Sequence, residues 1–142
     1  MKRRANRLAF ADIRVGDAYE FSKTLTRADG AAFAKGSGDY NPLHTDRRFG
    51  ARSRFKKNVA HGMLVTSFFS ALVGMYCPGE RSLYLGQTAR FFKPVFYGDR
   101  IRIKGLVLAK SEVAQTVRLK TEAWRKGTKV VDGEAMVAFL TP

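Results

Sequence analysis

Cysteine and histidine are scarce in this sequence, which contains one cysteine and two histidines among 142 residues. A lone Cys77 excludes an internal disulfide and indicates a reducing compartment, so we expect a cytoplasmic protein. The residues Asp39, His44 and His61 have no recognised metal-ligand spacing, and two histidines are few for a metal centre. We therefore expect no metal site.

Long apolar runs are also missing. The most apolar stretch, MLVTSFFSALVGMYC at 63–77, is shorter than the ~20 residues that a membrane span needs, and it carries Thr66, Ser67 and Ser70. It predicts a buried core helix and no membrane span. The basic start MKRRANR is not followed by the apolar core of a secretory signal, because Asp12, Arg14 and Asp17 intervene.

Acidic residues are few, since 12 of them face 26 basic residues and leave a net charge of +14. Such a charge attracts nucleic acid, an anionic membrane surface, an acidic carrier protein or a phosphorylated cofactor. We expect no nucleic acid, because aromatic residues are not interleaved with the charges as in an RNA-binding motif. A solvated face is the plainer explanation of the densest basic cluster, which comprises Arg47, Arg48, Arg52, Arg54, Lys56 and Lys57.

The chain shows no repeat, linker or low-complexity tract, so we expect one domain over 1–142, with 1–8 as a flexible basic N-terminus. Thr26 and Asp29 resemble a capping box at the start of a helix that ends at Gly36. The predicted elements are a strand at 17–25, helices at 27–35 and 61–76, and strands at 82–93, 100–110, 113–125 and 129–140.

The helix at 61–76 is apolar on nearly every side, and protein must therefore cover most of it. The four strands that follow it have no helices between them, which favours antiparallel pairing. A curved antiparallel sheet wrapped around the long apolar helix satisfies both elements. The predicted fold class is α+β.

The stretch GSGDYNPLH at 36–44 concentrates the residues suited to chemistry. Pro42 excludes one straight helix through it, and a turn there would let Asp39 and His44 converge as a general acid–base pair, with Asn41 orienting one of them. An Asx turn at Asp39 and Asn41 with an incidental His44 explains the same residues, and spacing alone favours it.

Three blocks along the chain resemble the MaoC-like hydratases, also called hydratase 2 or (R)-specific enoyl-CoA hydratases. The first is G-D-x-N-P-L-H at 38–44, with the small Gly50 six positions beyond His44. The second is H-G-M at 61–63. The third is R-F-x-x-P-V-x-x-G-D at 90–99. The blocks stand in the family's order over about 80 residues, and most of the chain falls within the resemblance.

The resemblance implies a single hot-dog fold, a homodimer, and hydration of trans-2-enoyl thioesters to (R)-3-hydroxyacyl thioesters or the reverse dehydration. It implies an acid–base dyad of Asp39 and His44 supported by Asn41, with Ser70 as a possible further support. The substrate would be an acyl-CoA or acyl-carrier-protein thioester. No cofactor is expected, because coenzyme A is part of the substrate.

The remaining roles follow from physical chemistry beside the resemblance. The backbone N–H of Gly62, at the start of the long helix, is suited to an oxyanion hole. The basic cluster at 47–57 is suited to the substrate's phosphates. Ser70 could equally bond back to a carbonyl four residues earlier. We expect His61 to be a packing or hydrogen-bonding residue at the helix start, Trp124 to be a packing residue and Cys77 to be inert.

Three other functions are left open by these residues. A 3-hydroxyacyl-acyl-carrier-protein dehydratase would use the same dyad on another carrier. A thioesterase could be built on the same fold, although such enzymes do not generally show D-x-N-P-x-H. A non-catalytic basic binding module is suggested by the charge alone.

Overall fold

The fold was determined as a computed structural model that describes residues 1–141. In chain order its strands and helices are β1 (Ala18–Thr24), α1 (Arg27–Ser37), α2 (Pro42–Thr45), α3 (Arg47–Arg52), α4 (Gly62–Ala71), β2 (Ser82–Gln87), β3 (Arg90–Phe91), β4 (Arg100–Ser111), β5 (Thr116–Arg125) and β6 (Thr128–Phe139). No helix in residues 1–141 has the length and apolar character to cross a membrane.

All pairings in the sheet are antiparallel, and the strand order is β1-β4-β5-β6-β2, with β3 beside β6. The buried face of α4 packs against this sheet. Phe69 of α4 is fully buried in one core cluster with Ile101 and Ile103 of β4. A helix held against a curved antiparallel sheet confirms the predicted α+β class and the hot-dog arrangement.

The core helix differs from its prediction in two ways. Residues Leu72–Tyr76 continue α4 as a π-helix, and the Cys77 N–H donates to the Leu72 carbonyl at the end of this segment. One stripe of α4, formed by Met63, Ser67 and Ser70, is exposed in the chain. These positions lie on one helix face because they are spaced by four and three residues. Protein therefore covers fewer sides of this helix than we expected.

Helix α1 ends two residues later than the sequence predicted. Thr26 and Asp29 form the capping box, since each side chain accepts from the other's backbone N–H at 2.8–3.1 Å. Gly36 remains helical, and the chain turns at Gly38, which adopts a left-handed φ of 82° and donates its N–H to the Ala34 carbonyl. Glycine takes this conformation at little cost, which explains why the helix ends there.

Two of the predicted strands also differ. The stretch 82–93 is divided into β2 and β3, because the chain leaves the ladder at Thr88, whose carbonyl oxygen lies where a Cβ on Gly133 would be. Strand β5 begins at Thr116, three residues later than predicted. The preceding turn places Gln115 at a positive φ of 51°, which a strand does not accommodate.

The first residues of the chain approach the end of the core helix. The backbone N–H of Asn6 donates to the Met75 carbonyl at 3.0 Å, and its side chain donates to the Tyr76 carbonyl at 2.8 Å. Arg7 forms a β-bridge with Gly79. These contacts attach Asn6 to the π-helical segment and Arg7 to the residues just after it, although both lie within the segment predicted to be flexible.

Candidate active site

The loop between α1 and α2 contains two consecutive Asx turns. The Asn41 N–H donates to Asp39 Oδ1 at 3.1 Å, and the Leu43 N–H donates to Asn41 Oδ1 at 2.9 Å. Asn41 is thereby the N-cap of α2, with Pro42 in the first helical position. The turn that we regarded as an alternative to function is present. It also fixes where the Asp39 carboxylate lies.

The ring of His44 is oriented from α2 by a backbone carbonyl. His44 Nδ1 lies 2.7 Å from the Val59 carbonyl oxygen, and because a carbonyl only accepts, Nδ1 carries the proton. In the neutral ring Nε2 then holds a lone pair. The Tyr97 hydroxyl donates to the His44 carbonyl at 3.0 Å, and burial raises the pKa of Tyr97, which keeps this hydroxyl protonated.

His61, at the N-terminus of α4, lies beside Asp39 and His44. Its side chain is 1% exposed, and its Nε2 donates to the Asp39 carbonyl oxygen at 3.0 Å. The same atom lies 3.9 Å from Asp39 Oδ2. The ring stacks on that of His44, with centroids 4.0 Å apart. We expected a packing or hydrogen-bonding residue at the helix start, and the structure places His61 in contact with both members of the predicted dyad.

One side-chain N or O atom each from Asp39, His44 and His61 lies within 4.8 Å of the other two. The predicted convergence of Asp39 and His44 is therefore present in the structure. Hydrogen bonds occupy two of the nitrogens in this set, His44 Nδ1 and His61 Nε2. The Asp39 side chain is 47% exposed, and Nε2 is left as the acceptor of the neutral His44 ring.

A cavity of about 480 Å³ opens next to His44. Its walls are mainly apolar and are contributed by the segment before α4, the start of α4 and the region of β3, including Val59, Gly62, Met63, Phe91, Phe92 and Val95. Such a cavity suits an acyl chain, since burying apolar surface is favourable. His44 provides a polar group in this largely apolar wall.

Gly62 is the first residue of α4 and lines this cavity. The N–H groups in the first turn of a helix have no partner within it, and the helix dipole adds positive potential there. A Cβ on Gly62 would lie 2.8 Å from the ring of Phe91, so only glycine fits without displacing that ring. The cavity wall therefore includes a residue whose backbone N–H has no partner within the helix.

The six residues of the basic cluster lie in different surroundings. Arg54 lines the cavity beside His44, whereas Arg47 lines a second cavity that also reaches His44. Lys57 lies over the Phe96 ring at 4.2 Å. The other three members, Arg48, Arg52 and Lys56, are exposed. Asp46 caps α3, and hydrogen bonds from the Phe49 and Arg48 N–H groups lower the pKa of its carboxyl.

Sequence reasoning missed several residues at this site. Lys93 lines the cavity between Phe92 and Pro94 and adds a cation to its wall. The side chain of Asn58 is buried and donates to the carbonyls of Leu43 and Asp46 at 2.9 and 2.8 Å, which holds the end of α2. The apolar residues of the third block, at 90–99, were the sequence signal from which the cavity wall near Lys93 could have been predicted.

The structure also locates three further residues that the sequence singled out, namely Ser70, Cys77 and Trp124. Ser70 lies on the exposed stripe of α4, two turns beyond Gly62, and the predicted back-bond to a carbonyl four residues earlier is made by Thr66 to Gly62 instead. Cys77 is buried, and burial raises the pKa of its thiol to about 11. The indole N–H of Trp124 is buried, and no acceptor for it is found in residues 1–141.

Comparison with known proteins gives a consistent result. The sequence profile described as "MaoC like domain" matches residues 11–126. An (R)-specific enoyl-CoA hydratase of Aeromonas caviae is 41% identical over 126 residues, which cover 88% of this chain and 94% of the relative. A mitochondrial 3-hydroxyacyl-[acyl-carrier-protein] dehydratase of Arabidopsis thaliana is 31% identical over 127 residues, covering 87% of this chain and 75% of the relative.

A solved structure supports the same assignment. The unliganded R-hydratase of Pseudomonas aeruginosa superposes with a TM-score of 0.89 at 37% identity, over 94% of this chain and 86% of that one. At this identity the match concerns sequence as well as fold.

Proposed function

The chain belongs to the MaoC-like family, and from this premise we propose that it hydrates trans-2-enoyl thioesters to (R)-3-hydroxyacyl thioesters, or catalyses the reverse dehydration. The observation that carries the proposal is the convergence of Asp39 and His44, whose side-chain O and N atoms lie within 4.8 Å of each other, with His44 lining a mainly apolar cavity. Its relatives include enzymes named for this hydration and for dehydration of 3-hydroxyacyl groups. This makes the chain a hydro-lyase.

The reaction needs a base for water, a proton for C2 and a site for negative charge. We assign the first two tasks to Asp39 and His44 acting on one water. As the water oxygen bonds to C3, one of its protons passes to the dyad, and a proton passes from the dyad to C2. His44 Nε2 suits this exchange, since Nδ1 is engaged by the Val59 carbonyl and Nε2 is left as the acceptor.

Negative charge that develops on the thioester oxygen needs a preorganised donor. We assign this role to the backbone N–H of Gly62, which lies at the positive end of α4 and lines the cavity next to His44. Asn41 supports the dyad through its backbone, because its N–H donates to Asp39 Oδ1. Ser70 stays a prediction as a further support. These roles need neither a metal nor a cofactor.

The carrier of the acyl group is recognised by charge. Arg54 and Lys93 line the cavity, and we propose that they and the neighbouring basic residues bind the phosphates of coenzyme A or of a carrier protein's prosthetic group. Reaction on a carrier protein is the second candidate, favoured by similarity to the dehydratase of Arabidopsis thaliana. The buried, uncrosslinked Cys77 fits a reducing compartment such as the cytoplasm.

We further propose that the protein is a homodimer that pairs through β2. This strand is an edge of the sheet, and its Leu83 and Leu85 are 52% and 55% exposed. Phe91 and Phe92 at β3 extend the apolar surface. An exposed apolar edge strand favours pairing with another chain. Light scattering during gel filtration should give a molar mass of twice 15.9 kDa for the wild type. Leu85→Lys should lower this molar mass towards that of the monomer.

The hydratase proposal is tested by the loss of enoyl-thioester absorbance when the purified protein meets crotonyl-CoA. Asp39→Asn and His44→Ala should each lower kcat/KM by about 10²-fold or more, as loss of an acid–base group does. Glu112→Gln, a carboxylate-to-amide change on an exposed turn, is the matched control and should keep full activity. Full activity of both dyad variants would end the proposal.

A series of enoyl-CoA substrates from C4 to C16, repeated on an acyl carrier protein, separates the two carriers. Release of free thiol from saturated acyl-CoA without enoyl consumption would identify a thioesterase instead. A salt-sensitive shift of nucleic acid in a gel, unchanged in the dyad variants, would identify a binding module.

A further inference from the structure

We propose that His61 is a positioning residue that fixes Asp39 and His44 relative to each other, through a hydrogen bond to the first and a ring stack on the second. The inference rests on the proposed function, because it concerns the same dyad. His61 itself is buried behind the dyad and does not line the cavity. It therefore acts through its two neighbours.

The place of His61 in the chain is unusual for its residue type. It is the N-cap of α4, a position that favours Ser, Thr, Asp or Asn because their side chains accept from the first helical N–H groups. The side chain of His61 makes no such bond and instead contacts the loop that carries Asp39. A departure from a local rule of this kind is expected where a residue serves a site.

The first contact fixes the backbone of Asp39. His61 Nε2 donates to the Asp39 carbonyl at 3.0 Å, while the Asp39 N–H donates to the Ser37 hydroxyl at 3.1 Å. The Asp39 carboxylate accepts from the Asn41 N–H. The hydrogen bond from His61 is the only one of these that comes from outside the loop 36–44. It therefore ties the loop to the start of α4, where the Gly62 N–H lies.

The second contact fixes the ring of His44. The imidazoles of His44 and His61 stack with centroids 4.0 Å apart and planes inclined by 29°. The ring of Phe33 in α1 also packs against the ring of His61, with centroids 4.9 Å apart. His44 is thus held in its plane by the Val59 carbonyl and on its face by His61.

Histidine at position 61 carries a cost that another aromatic ring would not. With Nε2 protonated, Nδ1 is a buried acceptor, and no donor to it is found among the residues that the structure describes. Burying a polar atom without a partner is unfavourable. A phenylalanine would keep the stack and avoid this cost. We infer that the hydrogen bond to Asp39 is what requires histidine at position 61.

The two contacts can be separated by substitution. His61→Phe keeps a ring beside His44 but loses the donor to Asp39, whereas His61→Gln keeps an N–H donor near the position of Nε2 but loses the ring. His61→Ala loses both. Val117→Ala is the control for general loss of packing, because Val117 is fully buried in the other core cluster and contacts neither dyad residue.

Nuclear magnetic resonance of the imidazole nitrogens tests the contacts without an activity assay. The chain has two histidines, so an untagged sample gives two sets of ring signals. At about pH 8, where an ordinary imidazole is neutral, we expect His61 protonated on Nε2 and His44 on Nδ1. His61→Gln and His61→Ala should give His44 a mixture of tautomers, while His61→Phe and Val117→Ala should leave it unchanged.

Steady-state kinetics test the positioning. All three His61 variants should lower kcat, with His61→Ala lowest by about 10²-fold, the loss expected when a reacting group is displaced by about 1 Å. KM should stay within about threefold, because the cavity wall is unchanged. Val117→Ala should keep the wild-type kcat despite a lower Tm. If His61→Ala does not fold, the Phe and Gln variants carry the test.

Two results would overturn the inference: His61 protonated on Nδ1 in the wild type, or a wild-type kcat in the folded His61→Phe and His61→Gln variants. If the wild-type chain hydrates no enoyl thioester, the proposed function fails, and the imidazole spectra still decide whether His61 holds Asp39 and His44. If the wild type is active and the variants are too, the positioning role alone fails.

Discussion

The α-carbon of Gly62 faces the ring of Phe91 so closely that a Cβ there would lie 2.8 Å from the ring carbon Cε1. The first residue of α4 and the aromatic wall of the cavity therefore meet at one point. This relationship decides both what can occupy position 62 and how near a substrate oxygen can come to the helix start.

Gly62→Ala should lower kcat/KM by about tenfold or more, since the added methyl displaces Phe91 and crowds the proposed oxyanion site. Phe91→Leu in the same chain should restore part of the activity by making room for the methyl. Gly36→Ala is the matched control, because a Cβ at that position meets no atom within 4 Å. Steady-state kinetics on the four proteins measure the effect. Unchanged activity of Gly62→Ala would remove Gly62 from the site.

Arg54→Ser should raise KM for enoyl-CoA several-fold with little change in kcat, because Arg54 lines the cavity and a phosphate contact contributes to binding alone. The difference from wild type should shrink as salt screens the charge. Arg100→Ser makes the same change on the sheet face opposite the core and should leave KM unchanged. Equal effects of both variants would show that only net charge matters.

Gly50→Ala should destabilise the protein by about 1–3 kcal/mol, as overpacking does in a tight site. A Cβ there would lie 2.6 Å from the backbone nitrogen of Asn58, which cannot move aside as a side chain could. Denaturant unfolding measures this change, with Gly36→Ala as the control, which should equal or exceed wild-type stability because alanine is favoured over glycine in a helix. A stability equal to wild type would mean that the loop 53–58 adjusts freely.

Cys77 should not react with a thiol reagent in the folded protein at pH 8. The side chain is fully buried, and burial raises its pKa from 9.0 to about 11. Because the folded pKa lies above the ordinary one, the neutral thiol favours folding. This contribution is present below about pH 9 and is lost as the pH rises towards 11. Rapid labelling before unfolding would contradict the buried position.

The capping box of α1 should contribute to stability in its ionised form. Burial by itself raises the pKa of Asp29, but hydrogen bonds from Thr26 and contact with Lys23 lower it below its ordinary value. The ionised carboxylate therefore stabilises the fold when the pH lies above the ordinary pKa of the group. This stabilisation is lost as the pH falls through the lowered pKa of the folded state.

Asp29→Asn should accordingly cost about 0.3–1 kcal/mol at pH 7, because the amide oxygen can still accept from the Thr26 N–H but the negative charge in the first turn of the helix is lost. Urea unfolding at several pH values should show this difference from wild type disappearing in acid. A difference that stays constant with pH would assign the loss to the shape of the side chain and not to its charge.

Much of the fold could be predicted from sequence because it depends on local patterns. The alternation in β5, the capping of α1 by Thr26 and Asp29, and the apolar run of α4 each have a short-range cause. The errors lie at boundaries. Helix α1 passes Gly36 because Gly38 is the glycine that takes the left-handed turn, and the strand at 82–93 is broken where Thr88 meets Gly133 from another strand.

The motif 38–44 by itself determined which residue types stand near one another, since Pro42 and two Asx turns act within a few residues. Only the tertiary structure decided what these residues contact. His61 comes from 17 positions beyond His44 and yet stacks on its ring, and the Val59 carbonyl sets the ring's protonated nitrogen. Such contacts form between segments that the packing of α4 against the sheet brings together. The spacing of residues along the chain therefore does not predict them.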